Sequence, residues 1–191
     1  MLLVVAATEP ELRATAGLTG VEALVCGVGP VDAGIAVATR LADPDCPVRA
    51  VLHIGIAGMR AGADIAIGDL VVGDAAAYCD TESRFVIAHA DPDAELVTSA
   101  HRALPAAHLR TIGTSADVGG TDAARYDIEA MEGFAVLRAA ALAGIPAVEV
   151  RAVSNEIDEP DRALWQFDTA LDALAAALPA LVRELASQHD D

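Results

Sequence analysis

Lysine is missing from this sequence: all twelve basic residues are arginine. That absence excludes a Schiff-base lysine and the phosphate-gripping lysine of a P-loop. Aromatic residues are scarce, at 3%. The core must therefore be built from Ala, Val, Leu and Ile, which suits a sheet covered by helices on both faces. Only three cysteines occur, Cys26, Cys46 and Cys79. Their odd number argues against a disulfide framework, and their spacing argues against a metal site. Free thiols fit a reducing, cytoplasmic setting. No apolar run reaches the ~18 residues a membrane helix needs. Residues 1–7 are apolar, but Glu9 and Glu11 follow at once and no basic stretch precedes them, which predicts a first strand rather than a leader. Positive charge is outnumbered, 12 basic residues against 29 acidic, for a net charge of -17. Phosphate-rich partners, whether nucleic acid or anionic membrane, are disfavoured.

What is present is apolar. Hydrophobic residues make up 54% of 191, enough for a full core in a single domain spanning 1–191. Leu2 to Ala7 reads as a buried strand. Thr8 then matches an N-cap, with Pro10 in the first turn and Glu11 at the capping-box position. Val21 to Cys26 reads as a second strand, and Gly27-Val28-Gly29-Pro30 as a turn into a helix over Val31 to Ala42. Val48 to Ile54 reads as a third strand, ending in a turn at Gly55-Ile56-Ala57-Gly58. A strand from Leu70, a short one at Arg84 to Ala88, a helix at Asp93 to Leu104 and a strand at Leu109 to Gly113 follow. Residues 116–126 read as a loop. A helix is expected from Glu129, then a stop at Gly144-Ile145-Pro146 and a buried strand at Ala147 to Val153. A long terminal helix runs from Asp161 to Ala186, kinked or divided by Pro179, with a frayed tail at Ser187 to Asp191. This alternation of strand and helix predicts an α/β sandwich with a largely parallel sheet.

Three polar positions stand out against this background, each with two readings. Glu132 is an ordinary acid near a helix start, or a carboxylate aimed into the sheet edge, where it suits a vicinal diol such as a ribose. Ser154-Asn155 is a strand-ending turn, or an amide donor and acceptor for the N7/O6 edge of a 6-oxopurine. Glu11 is the acid of a capping box, or a general base holding water. Met131 and His53 read as core. Gly27-Val28-Gly29-Pro30 is not a dinucleotide fingerprint, so no cofactor is expected.

Taken in order, Ala7-Thr8-Glu9-Pro10-Glu11, Gly27-Val28-Gly29-Pro30, Gly55-Ile56-Ala57-Gly58, Ile67-Gly68-Asp69-Leu70, Met131-Glu132-Gly133-Phe134 and Arg151-Ala152-Val153-Ser154-Asn155 resemble the nucleoside phosphorylase/nucleosidase superfamily. Within it they are most similar to the futalosine hydrolases of menaquinone biosynthesis. The resemblance implies a three-layer phosphorylase/hydrolase-like α/β fold, with a twisted mixed central sheet flanked by helices. It also implies a homo-oligomer, a small nucleoside substrate, and hydrolysis of the purine N-glycosidic bond of futalosine to hypoxanthine and dehypoxanthine futalosine. By position it makes Glu11 the water-activating carboxylate and Asn155 the group handling the leaving purine. Met131 packs on the ribose, Glu132 binds its hydroxyls, and Ser154, Ile56, Ala57 and Gly58 line the substrate site. Methylthioadenosine nucleosidases carry Asp where this chain has Asn155. His53 and Ile56 stand where the hexameric phosphorylases place an Arg and a Ser for phosphate, which favours water. Phosphorolysis, nucleosidase action on methylthioadenosine or S-adenosylhomocysteine, and nucleoside binding without turnover are the alternative readings.

Overall fold

The computed structural model describes residues 1–117 and 126–186. The elements in chain order are β1 (Leu2–Ala6), α1 (Glu9–Leu12), β2 (Val21–Val25), α2 (Pro30–Leu41), β3 (Ala50–Met59), β4 (Leu70–Tyr78), β5 (His89–Ala90), α3 (Ala94–Ala103), β6 (His108–Thr114), β7 (Ile128–Ala130), α4 (Gly133–Leu142), β8 (Ala147–Glu156) and α5 (Phe167–Ala186).

The strands form one mixed sheet. β2, β1 and β3 pair in parallel, β3 pairs β8 in parallel, and β4 pairs β8 antiparallel. β4 also pairs β6, β6 pairs β7, and β7 returns to β3 antiparallel. The path β3–β8–β4–β6–β7–β3 therefore closes on itself, so one end of the sheet is a small barrel. Its filling includes Ala57, Val71, Ile112, Ile128 and Val153.

Period-two burial explains the layers. In β1, Leu2, Val4 and Ala6 pack with α3 and α5, while Leu3 and Val5 pack with α2 and α4. α2 begins at Pro30 and buries Ala33, Val37 and Leu41, one stripe at four-residue spacing. Gly29 before it sits at φ 93°, a conformation that L side chains resist. α5 buries Leu174, Leu178, Leu181 and Leu185. Each such leucine contributes roughly 1.5–3 kcal/mol on burial. This is the three-layer α/β fold with a mixed sheet.

Five local expectations are corrected. Gly55-Ile56-Ala57-Gly58 is strand, because β8 and β7 continue the ladder on either side of it. Ile128–Ala130 is strand rather than helix, captured by β3 and β6, and α4 starts at Gly133. Ser154 and Asn155 lie inside β8. Arg84 to Ala88 is not strand; the short strand is His89–Ala90, paired with β4. The segment from Asp161 forms a 3-10 turn at Arg162–Leu164 before α5 begins at Phe167, and Pro179 lies within a continuous helix. The expected loop at 116–126 falls mostly on residues 118–125, and the tail on 187–191; both lie outside the described residues.

Candidate active site

A cavity of about 350 Å³ opens where β1, β3, β7 and β8 meet, within the range of small-molecule sites. Glu11, Ile56, Ala57, Gly58, Met131, Glu132, Ser154 and Asn155 all line it. The eight positions picked out in the sequence thus face one space. Thr8, Val28, Glu129, Arg151, Trp165 and Phe167 complete much of the wall.

Glu11 is 8% exposed. Thr8 donates to its Oε2 from both the backbone N–H at 2.9 Å and the hydroxyl at 2.7 Å. The Ile56 N–H donates to Oε1 at 3.1 Å. The capping geometry is present, yet the same carboxylate is clamped to the third strand and faces the cavity. Cap and site are not exclusive.

Glu132 is the N-cap residue of α4, one position ahead of the first turn. Its Oε1 accepts the Gly29 N–H at 3.0 Å, and Arg151 Nη2 lies 3.3 Å from its Oε2. Arg151 is 1% exposed and also donates from Nε to Glu149 Oε1 at 2.7 Å. A further bond runs from Arg151 Nη2 to His53 Nε2. His53 Nδ1 stands 3.1 Å from the Val5 carbonyl, which only accepts, so Nδ1 carries the proton and Nε2 accepts from Arg151. Burial, reinforced by the Arg151 charge, holds His53 well below the usual histidine range. It is neutral, a satisfied core histidine that props the guanidinium. Burial opposes the Arg151 charge, but Glu149 and Glu132 together raise its pKa.

Two glycines make this packing possible. A Cβ on Gly55 would stand 2.2 Å from Arg151 Nη1, and one on Gly133 would stand 2.2 Å from Glu149 Oε2. Neither position has room for a methyl group.

Asn155 owes its direction to an irregularity. In the β3–β8 ladder Val153 pairs Ala57 and Asn155 pairs Gly58, leaving Ser154 as an extra residue. Consecutive residues of a regular strand face opposite sides. The bulge lets Ser154 and Asn155 both line the cavity. The Ser154 hydroxyl lies 2.7 Å from Asn155 Oδ1, and Asn155 Nδ2 donates to the Glu156 carbonyl at 2.8 Å. One amide N–H is left to face a ligand.

Sequence reasoning assigned no part to Arg151, Glu149, Glu129, Trp165 or Phe167. Arg151 and Glu149 alternate along a buried strand, and a charged pair at that spacing in an apolar run was the available signal. Nothing in the sequence tied Trp165 or Phe167 to the site. Their ring centroids stand 5.5 Å apart at the cavity wall.

Comparison with known proteins shows the family of the chain. A family model described as the phosphorylase superfamily matches residues 10–187. The chain is 36% identical over 193 aligned positions to futalosine hydrolase of Streptomyces coelicolor, covering 88% of this chain and 81% of that protein. Among solved structures, futalosine hydrolase of Helicobacter pylori superimposes with a TM-score of 0.84 at 16% identity, covering 96% of this chain and 97% of that one. The 5'-methylthioadenosine/S-adenosylhomocysteine nucleosidase of S. pneumoniae gives 0.82 at 23%, covering 96% and 99%. At those identities the two structures speak to the fold alone.

Proposed function

From a chain that belongs to the phosphorylase superfamily and is an N-glycosyl hydrolase of its nucleosidase type, we propose the hydrolysis of futalosine, releasing hypoxanthine and leaving dehypoxanthine futalosine for menaquinone biosynthesis. The observation that carries the proposal is the meeting of Glu11, Glu132 and Asn155 in one cavity. The identity to the Streptomyces coelicolor futalosine hydrolase supports the choice of nucleoside.

In this reading Glu132, held by Gly29 and Arg151, accepts hydrogen bonds from the ribose hydroxyls, and Met131 packs on the sugar. Ile56, Ala57 and Gly58 form the strand floor under the nucleoside. The C1'–N9 bond lengthens toward an oxocarbenium ion, as in glycoside hydrolysis. Its electron pair passes to the purine, where the Asn155 N–H, with Ser154 fixing the amide, stabilises charge as it develops. Water held by Glu11 attacks C1' and gives its proton to that carboxylate; the purine takes a proton from solvent as it leaves.

Water is favoured over phosphate. The cavity presents Glu11, Glu129 and Glu132, and the one arginine that lines it among the described residues, Arg151, is already bonded to Glu149, His53 and Glu132. A phosphate dianion would meet carboxylates and a guanidinium whose hydrogen bonds are already committed. The whole of 1–191 acts as one catalytic domain, and the working form is a homo-oligomer. Val31 and Ile35 are 70% and 61% exposed on α2, with Val28 at the cavity rim 56% exposed, and a second copy would cover them.

Incubation with futalosine in phosphate-free buffer tests the assignment. Hypoxanthine is expected. Strict phosphate dependence would select a phosphorylase instead, and binding without turnover would remove the enzyme assignment.

A further inference from the structure

One carboxylate in the cavity has no part in the chemistry above. Glu129 is 8% exposed, and its Oε1 is buried without a hydrogen-bond partner among the described residues. Burying a carboxylate oxygen with nothing to accept from is costly, so the group calls for a donor.

The ladder says which donor. Gly58 pairs Glu129 on one side and Asn155 on the other. The two side chains thus flank the same point of β3, and both line the cavity. The other end of the cavity lies about three residues back along β3. There Glu11 reaches Ile56, and Arg151, bonded to Glu132, crowds Gly55. That separation is about 10 Å. Glu129 also precedes Met131 by two residues, which places it about 7 Å farther from the sugar end. A purine attached to a ribose at Glu132 and Met131 would present its six-membered ring there.

Asn155 and Glu129 offer opposite hydrogen-bonding groups. Ser154 commits Asn155 Oδ1, so the amide presents an N–H, while Glu129 presents only acceptors when ionised. A 6-oxopurine matches both, with O6 and N7 as acceptors and N1–H as donor. A 6-aminopurine matches neither cleanly: its N1 is a lone pair, and an amino group replaces O6.

Building on the proposed nucleosidase reading, we propose that Glu129 is a specificity-determining residue, accepting the N1–H of a 6-oxopurine while Asn155 donates to its O6/N7 edge. Arg60, Ser115, Asp80, Cys79 and Asp158 surround Glu129. Burial pushes its carboxyl up against the opposing pull of Arg60 and of a hydrogen bond from Ser115, which leaves Oε1 still unmatched. The ionised acceptor therefore gains population as pH rises from the ordinary carboxylate range and is lost as pH falls.

The test compares kcat/KM for futalosine and for its 6-aminopurine counterpart in the wild type, Glu129→Ala and Glu129→Gln. Both variants should lose about 10- to 100-fold on the 6-oxopurine and less than about threefold on the 6-aminopurine. In Glu129→Gln the part of the acid limb of the 6-oxopurine kcat/KM profile that Glu129 supplies should be missing, so the limb should move to lower pH than in the wild type. Equal losses on both substrates, or no loss with an unchanged profile, overturn the inference. If Glu129→Ala fails to fold, the near-isosteric Glu129→Gln decides by the same ratio and profile. A wild type that cleaves neither nucleoside refutes the nucleosidase reading separately. Hypoxanthine and adenine binding to the wild type and Glu129→Gln then judges Glu129: a selective loss of hypoxanthine upholds the inference, and any other pattern overturns it.

Discussion

Arg151 and Glu132, nineteen residues apart in sequence, meet at 3.3 Å with 1% and 5% of their side chains exposed. The contact joins the barrel strand β8 to the start of α4, and it places the guanidinium behind the carboxylate that we propose binds the ribose.

Removing the guanidinium should therefore be severe. Arg151→Met leaves Glu132 buried without its counter-charge and Glu149 Oε1 without its donor. Loss of one partner of a buried pair costs about 3–5 kcal/mol. Arg151→Lys should recover only part of this, because an ammonium cannot span Glu149, His53 and Glu132 as a planar fork does. Urea unfolding of the three proteins checks the ranking.

Glu11→Gln separates cap from chemistry. The amide keeps one acceptor but turns its NH2 toward Thr8 or Ile56 donors, so stability should fall by about 0.5–2 kcal/mol. Turnover should fall much further, about 100- to 10,000-fold, if the carboxylate takes the proton from water. Turnover that drops only in step with the folded fraction would leave Glu11 a cap and nothing more.

Gly133→Ala should be destabilising, because the new Cβ would overlap the Glu149 carboxylate. Overpacking of this kind costs about 1–3 kcal/mol. In a Glu149→Ala background the same substitution should cost less than about 1 kcal/mol, its obstacle being gone. Thermal or chemical unfolding of the four-member cycle reads the coupling, and strict additivity would place the strain elsewhere.

Stability should also carry a pH signature from Glu149. Burial raises its pKa above the ordinary 4.5, outweighing the pull of Arg151. The folded state then holds a proton that the unfolded state has released. This contribution is complete below the unfolded pKa and is lost as pH rises through the folded one. Glu149→Gln removes the slope, so its stability relative to wild type should climb with pH above about 4.5. A difference that stays flat from pH 4 to 8 would mean Glu149 titrates normally.

Thiol reactivity should follow burial. Burial, helped by the nearby Glu132 charge, pushes the Cys26 thiol up to about 12, and Cys79 is buried and raised as well. Cys46 is only partly buried. Iodoacetamide at mildly alkaline pH should modify Cys46 first, as peptide mapping by mass spectrometry would record.

Much of this was legible in the chain itself. Apolar runs of five or six residues, punctuated by Gly and Pro, marked β1, β2, α2 and α4, because those elements are set by local burial patterns and stop signals. The candidate residues were legible as polar side chains standing in apolar surroundings. Three of the five errors share one cause. Gly55 to Gly58, Ile128 to Ala130 and Ser154-Asn155 carry turn-like or helix-like local preferences, and pairing with distant strands overrides them. Barrel closure recruits each of these segments into β3, β7 or β8.

The order of residues alone settled the layer architecture, the all-aliphatic core, the acidic surface and the positions worth suspecting, since period, composition and charge are properties of neighbours along the chain. Which way those positions point was decided only in three dimensions. The extra residue at Ser154 turns Asn155 into the cavity, Gly55 and Gly133 admit the Arg151–Glu149 pair, and the return of β7 onto β3 sets Glu129 level with Asn155 across Gly58. These are relations between strands far apart in sequence, and they exist only once the barrel has closed.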